Sequence, residues 1–148
     1  FQAEDGIRDW QYCLVGSEMC IRDSNPDVLG YVAALAAYRD GQAWLGEVLQ
    51  YLESNRDFTF EYVNGRLPGI SMARPEGTYL AWLNCREAAI PDNPQKFFLK
   101  QANVALNDGP DYGRGGERFL RLNFGCPRAV LVEALQRMEG ALREAAGS

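Results

Sequence analysis

The segment "RFLRLNFGCPR", residues 118–128, carries the side chain best placed to do chemistry. Side chains alternate along a strand, so Leu120, Leu122 and Phe124 share one face, and Phe119, Arg121 and Asn123 share the other. A guanidinium held between two leucines is costly to bury unless an anion meets it. Its planar fork of donors matches a carboxylate bidentately. Spacing alone leaves two readings of Arg121 open: a weakly stabilising ion pair on an edge strand, or a carboxylate clamp on a stiff support.

The other reactive side chains carry less. The chain has no histidine, which removes the commonest general base and the commonest metal ligand together. Cys13, Cys20, Cys85 and Cys126 show no CxxC spacing, so a zinc site is not expected. Without a base to deprotonate them, Cys85 and Cys126 read as structural thiols. Lys96 and Lys100, the two lysines of the chain, lie four apart on the polar side of a helix with Gln95 and Asn103, a solvated face. The glycine-rich "DYGRGG" suggests a phosphate loop. It lacks a following Lys-Ser/Thr and leads into a strand, not a helix N-terminus, so an ordinary loop is expected.

Composition narrows the function classes. Among 148 residues, 47% are hydrophobic and 24% charged, which suits one globular domain. A net charge of -5 argues against a nucleic-acid partner. No apolar run approaches the roughly 20 residues that span a bilayer, so no membrane partner is expected. Scattered thiols suit a reducing cytoplasm.

The elements that must position Arg121 follow from periodicity. Residues 1–24, "FQAEDGIRDWQYCLVGSEMCIRDS", have no sustained period and resemble translated sequencing-adapter sequence through "EDGIRDW" and "MCIRDS". They read as a non-native segment and are set aside. Asn25-Pro26-Asp27 starts a helix, and Asp40 caps a second one whose stripe is Trp44, Leu45, Val48, Leu49 and Leu52. That helix runs on through Tyr62 and Val63 to a stop at Asn64-Gly65. "GISMARPEG" reads as a short strand with Ile70 and Met72 on one face, and "TYLAWLNC" as a central strand buried on both faces. "QKFFLKQAN" is helical, "VALNDG" a short strand, and Pro127 opens a last helix with the stripe Val130, Leu131, Ala134, Leu135 and Met138. The expected fold is α+β: residues 25–65 form connecting helices, and residues 66–148 form a small domain. Its three- or four-stranded, mostly antiparallel sheet is covered by helices on one face.

"RPEGTYLAWLNCR" and, further on, "VALNDGPDYGRGGERFLRLNFGCPRAVLVEALQRM" resemble the C-terminal end of class I/II aminotransferase-like enzymes that use pyridoxal phosphate. The subgroup is that of the cystathionine β-lyases or cysteine-S-conjugate β-lyases (C–S lyases). "AAYRDGQAWLGEVLQYLESNRDF" resembles that group's passage from large to small domain. The resemblance covers about residues 25–146, with "PEGTYLAW" and "FLRLNFGCPR" its most specific parts. It implies the small domain of a fold-type I enzyme, a homodimer when complete, with Arg121 binding the α-carboxylate of an amino-acid substrate. The implied reaction eliminates a thiol from an L-cysteine conjugate, giving pyruvate and ammonia. The family's cofactor lysine, its aspartate partner and its phosphate loop have no counterpart here. The chain alone is therefore expected neither to bind pyridoxal phosphate nor to turn over. A transaminase of the same fold, or a non-catalytic ligand-binding or interaction module, stands as the alternative.

Overall fold

A computed structural model describes residues 28–91 and 93–146. The helix start at Asn25-Pro26-Asp27 and the segment 1–24, with Cys13 and Cys20, lie outside the described residues. The chain divides into two compact units between Gly46 and Glu47.

In the first unit, helix α1 (Val28–Asp40) buries no side chain: Val28, Leu29, Tyr31, Val32 and Leu35 are all exposed. Helix α2 (Gln42–Arg66) follows after Gly41, where an added Cβ would stand 2.4 Å from the Ala37 carbonyl oxygen. Only glycine permits that close approach. The helix ends at Arg66, one residue past the stop expected at Asn64-Gly65.

In the second unit, strands β1 (Ser71–Met72), β2 (Leu80–Asn84), β3 (Asn107–Asp108) and β4 (Phe119–Asn123) form one antiparallel sheet in the order β1-β2-β4-β3. Between β2 and β3 lie α3 (Pro94–Phe97) and a π-helical turn (Phe98–Ala102). Asn93 caps α3 in both directions. Its side-chain oxygen accepts from the Lys96 backbone N–H at 3.1 Å, and its amide donates to Asp108 at 2.7 Å, tying the helix start to β3. Helix α4 (Arg128–Ala146) closes the fold.

The core lies on one side of the sheet. Ala81 and Leu83 of β2, Leu120 and Leu122 of β4, Val63 of α2, Phe98 of the π-helical turn, and Leu131, Leu135 and Met138 of α4 form one buried cluster. Ile70 and Met72 share its face, and Phe124 is fully buried beside it, as the alternation requires. Two expectations need correction. "TYLAWLNC" is central but not buried on both faces: Trp82 is 39% exposed, because no described helix covers the outer face of the sheet. The α4 stripe holds at Leu131, Leu135 and Met138, with Ala134 packed against the core, but Val130 is 54% exposed, and Glu139, Ala141 and Leu142 are buried beyond the expected stripe. Glu139 goes inside because it has partners: it accepts a 2.5 Å hydrogen bond from the Tyr62 hydroxyl and pairs with Arg143.

Candidate functional site: the outer face of the sheet

Antiparallel pairing sets Arg121 directly across from Trp82 on β2 and from Asn107 on β3. All three side chains therefore stand on the face opposite the core. The Arg121 Nη2 donates to Asn107 Oδ1 at 3.3 Å, and its Cζ lies 4.5 Å from the centre of the Tyr112 ring. Its Nε is buried and has no hydrogen-bond partner. Among the described residues no salt bridge from a carboxylate to Arg121 is found. The guanidinium is held at one corner and across one ring face, with a donor edge left to give.

The glycine-rich loop explains where Tyr112 comes from. Tyr112 ends a short 3₁₀ turn, Gly109–Tyr112. A Cβ on Gly109 would fall 2.1 Å from the Gly116 carbonyl oxygen, and one on Gly116 would fall 2.2 Å from that of Gly109. The two limbs of the loop touch backbone to backbone, a contact that only glycine allows. These glycines fold the loop back beside β4 and set Tyr112 over Arg121.

The aromatic side chains beside Arg121 form a continuous wall. The Trp82 ring stacks on Phe119 at 5.6 Å with an interplanar angle of 13°, and meets the edge of Tyr112 at 5.7 Å. Trp82, Tyr112 and Asn107 were not singled out from the sequence. The signal for Trp82 was its parity within β2, which the expectation of a two-sided buried strand concealed.

The backbone around the site is fastened by two polar residues that periodicity does not flag. Asn55, fully buried on α2, donates through Nδ2 to the carbonyls of Phe124 and Cys126, both at 2.9 Å. It pins the chain just past Arg121. Arg118, at φ +62°, donates to the carbonyls of Cys85, Ala88 and Ile90 at 3.0–3.3 Å. It pins the chain just before.

Lys96 and Lys100 are exposed on the helical segment between β2 and β3, off the strand face of Arg121. Cys85 is buried, and desolvation pushes its thiol up to about 12 against a mild opposing pull from Arg118. Desolvation also raises the Cys126 thiol. The Tyr62 hydroxyl is raised by desolvation first and by its bond to Glu139 second. All three groups are neutral at physiological pH, and neither thiol is a ready nucleophile. Below about pH 9 the Cys85 thiol is neutral in both folded and unfolded chains; between about 9 and 12 only the unfolded chain ionises. Stability therefore falls as pH rises through that window, by at most about 1.4 kcal/mol per pH unit from this group. The urea midpoint is expected to be lower at about pH 10 than at about pH 8, with a smaller drop in Cys85→Val. Equal slopes for the two proteins would refute the assignment to Cys85.

No family profile matches the chain. Individual proteins do. The chain is 39% identical over 108 residues to the cystathionine β-lyase PatB of Bacillus subtilis, covering 72% of this chain and 28% of that protein. It superposes on the pyridoxal-phosphate-bound C–S lyase of Staphylococcus hominis in its external aldimine form with L-cycloserine. There the TM-score is 0.74 and the identity 30%, over 89% of this chain and 33% of that one. Identity to the LL-diaminopimelate aminotransferase of Desulforudis audaxviator is 27% over 110 residues, 74% of this chain and 28% of that protein. The chain spans about a third of the length of the relatives it matches. With the small sheet, the outward arginine and the C-terminal motifs all in place, it belongs to the class I/II aminotransferase-like family of pyridoxal-phosphate enzymes, in the cystathionine β-lyase branch.

Proposed function

We propose that this chain is the C-terminal, substrate-carboxylate-binding part of a pyridoxal-phosphate-dependent lyase. The whole protein would eliminate a thiol from an L-cysteine conjugate such as cystathionine, giving pyruvate and ammonia. The observation that carries the reading is the buried, unpartnered Nε of Arg121 beside an anchored Nη2. A carboxylate is the small anion whose two oxygens match that edge.

The described residues fit the substrate's carboxylate and do not fit the cofactor. No lysine stands on the face of Arg121, and the glycine loop is closed on itself. Pyridoxal phosphate, when bound in the whole protein, supplies an electron sink. Arg121 does the positioning: two parallel hydrogen bonds remove the free rotation of the substrate's carboxylate end. The 148-residue chain alone is expected to release no pyruvate. The homodimer and the cytoplasmic setting belong to the same proposal. Support for assembly comes from the exposed apolar side chains of α1, which a soluble protein covers with another surface. The higher identity to a lyase than to an aminotransferase favours elimination over transamination, the second reading.

The test uses the full-length protein that carries this segment. With cystathionine, pyruvate is expected; keto-acid exchange without pyruvate would establish the transaminase. Arg121→Ala should lower kcat/KM about 100-fold, chiefly through KM, as loss of a charge-assisted pair requires. Arg121→Lys should restore only part of it, because an ammonium cannot make the bidentate contact. Unchanged kcat/KM in Arg121→Ala would remove the carboxylate role.

A further inference from the structure

We infer that the aromatic wall beside Arg121 selects the leaving group: Trp82 and Phe119 form a subsite for an apolar, preferentially aromatic, substituent on the sulfur of the substrate. This inference rests on the reading of Arg121 as the carboxylate ligand. Trp82 is its cross-strand neighbour, so a ligand anchored there by its carboxylate meets the indole next. On the far side of Trp82 and Phe119 opens a groove of about 370 Å³, with Leu80 and Pro75 among its walls. A substituent leaving Arg121 across β2 enters that groove.

The walls favour an uncharged substituent. The two cations that border them are already engaged. Arg74 pairs with Asp57 at 3.6 Å and lies 5.0 Å over the Phe60 ring. Arg86 lies 4.8 Å over the Phe119 ring and donates to the Gly115 carbonyl. Toward the groove stand Met72, Pro75, Leu80 and the two rings, with Ser71 and Asn84 as the uncharged polar groups of its lining. The rings are also fixed in advance, Trp82 by stacking on Phe119 and by its edge contact with Tyr112. A wall ordered before binding costs little further entropy when the ligand arrives. Thioether sulfur adds favourable contact at aromatic ring edges.

The experiment is a nitrogen-15 NMR titration of the full-length protein that carries this segment, with its cofactor removed, following the Arg121 Nε–H and the Trp82 indole N–H. The probes are S-benzyl-L-cysteine and L-alanine. Both should move the Arg121 signal, with S-benzyl-L-cysteine about ten-fold tighter and moving the Trp82 indole at the same midpoint. Trp82→Leu should bring its affinity down to that of L-alanine, while Trp82→Phe retains a preference; spectral dispersion in each variant reports that the fold is kept. Movement of Arg121 at equal affinity for both probes, with Trp82 unmoved, would overturn the subsite and leave the carboxylate reading standing. No movement of Arg121 with either probe would overturn both.

Discussion

Phe124→Ala is expected to destabilise the 148-residue chain by about 3–5 kcal/mol, the usual cost of emptying a fully buried phenylalanine site. Phe124 is 0% exposed and directly follows the strand that carries Arg121. Its backbone is held from two sides: its N–H donates to the Tyr79 carbonyl at 2.9 Å, and its carbonyl accepts from Asn55. That double fastening keeps the strand end from collapsing into the space the ring leaves, so the cavity persists and the cost sits toward the upper end. A loss of that size is a large fraction of a typical domain's stability. Equilibrium denaturation measures it. Phe124→Leu should fall between wild type and alanine, and a loss below about 1 kcal/mol for Phe124→Ala would show that the site repacks.

Arg118→Ala should cost about 3 kcal/mol by the same measurement. The guanidinium serves three carbonyls of the turn after β2, those of Cys85, Ala88 and Ile90. Each bond from a charged donor contributes about 1.5–3 kcal/mol, reduced here because the arginine is only partly buried and water replaces some of it. Arg118 also adopts φ +62°, a conformation that costs a residue with a Cβ about 1–2 kcal/mol. Arg118→Gly removes the same bonds and that strain together, so it should be about 1 kcal/mol less damaging than Arg118→Ala. Equal losses in the two variants would mean that the left-handed conformation carries no strain. A negligible loss in both would mean that water satisfies the three carbonyls unaided.

These two positions show how unevenly the site could be read. Phe124 was legible: its parity with Leu120 and Leu122 places it inward whatever the strand pairs with. Arg118 was not. It precedes the strand in an unremarkable polar run, and its partners lie 28–33 residues earlier in the chain. Asn55 was equally hidden. It occupies one step of a buried helical row with Thr59, Tyr62 and Val63, yet its purpose appears only when the carbonyls of Phe124 and Cys126 arrive beside it, 69 and 71 residues later. The burial of Glu139 on α4 was hidden for a related reason. Glu139 reads as a solvent residue until the hydroxyl of Tyr62, 77 residues away, supplies its partner.

By itself the sequence determined the main elements and the inward side of the strand that carries Arg121, because those depend on short-range alternation, glycine placement and capping within a few residues. It also singled out Arg121, whose charge conflicts with its apolar neighbours, and the motifs around it carried the family. The tertiary structure alone decided what surrounds that arginine. Strand order placed Trp82 and Asn107 opposite it, and the contact of Gly109 with Gly116 swung Tyr112 over it. The same packing buried its Nε without a hydrogen-bond partner among the described residues. Register and loop closure join residues far apart in the chain, and no local preference encodes which of them will meet.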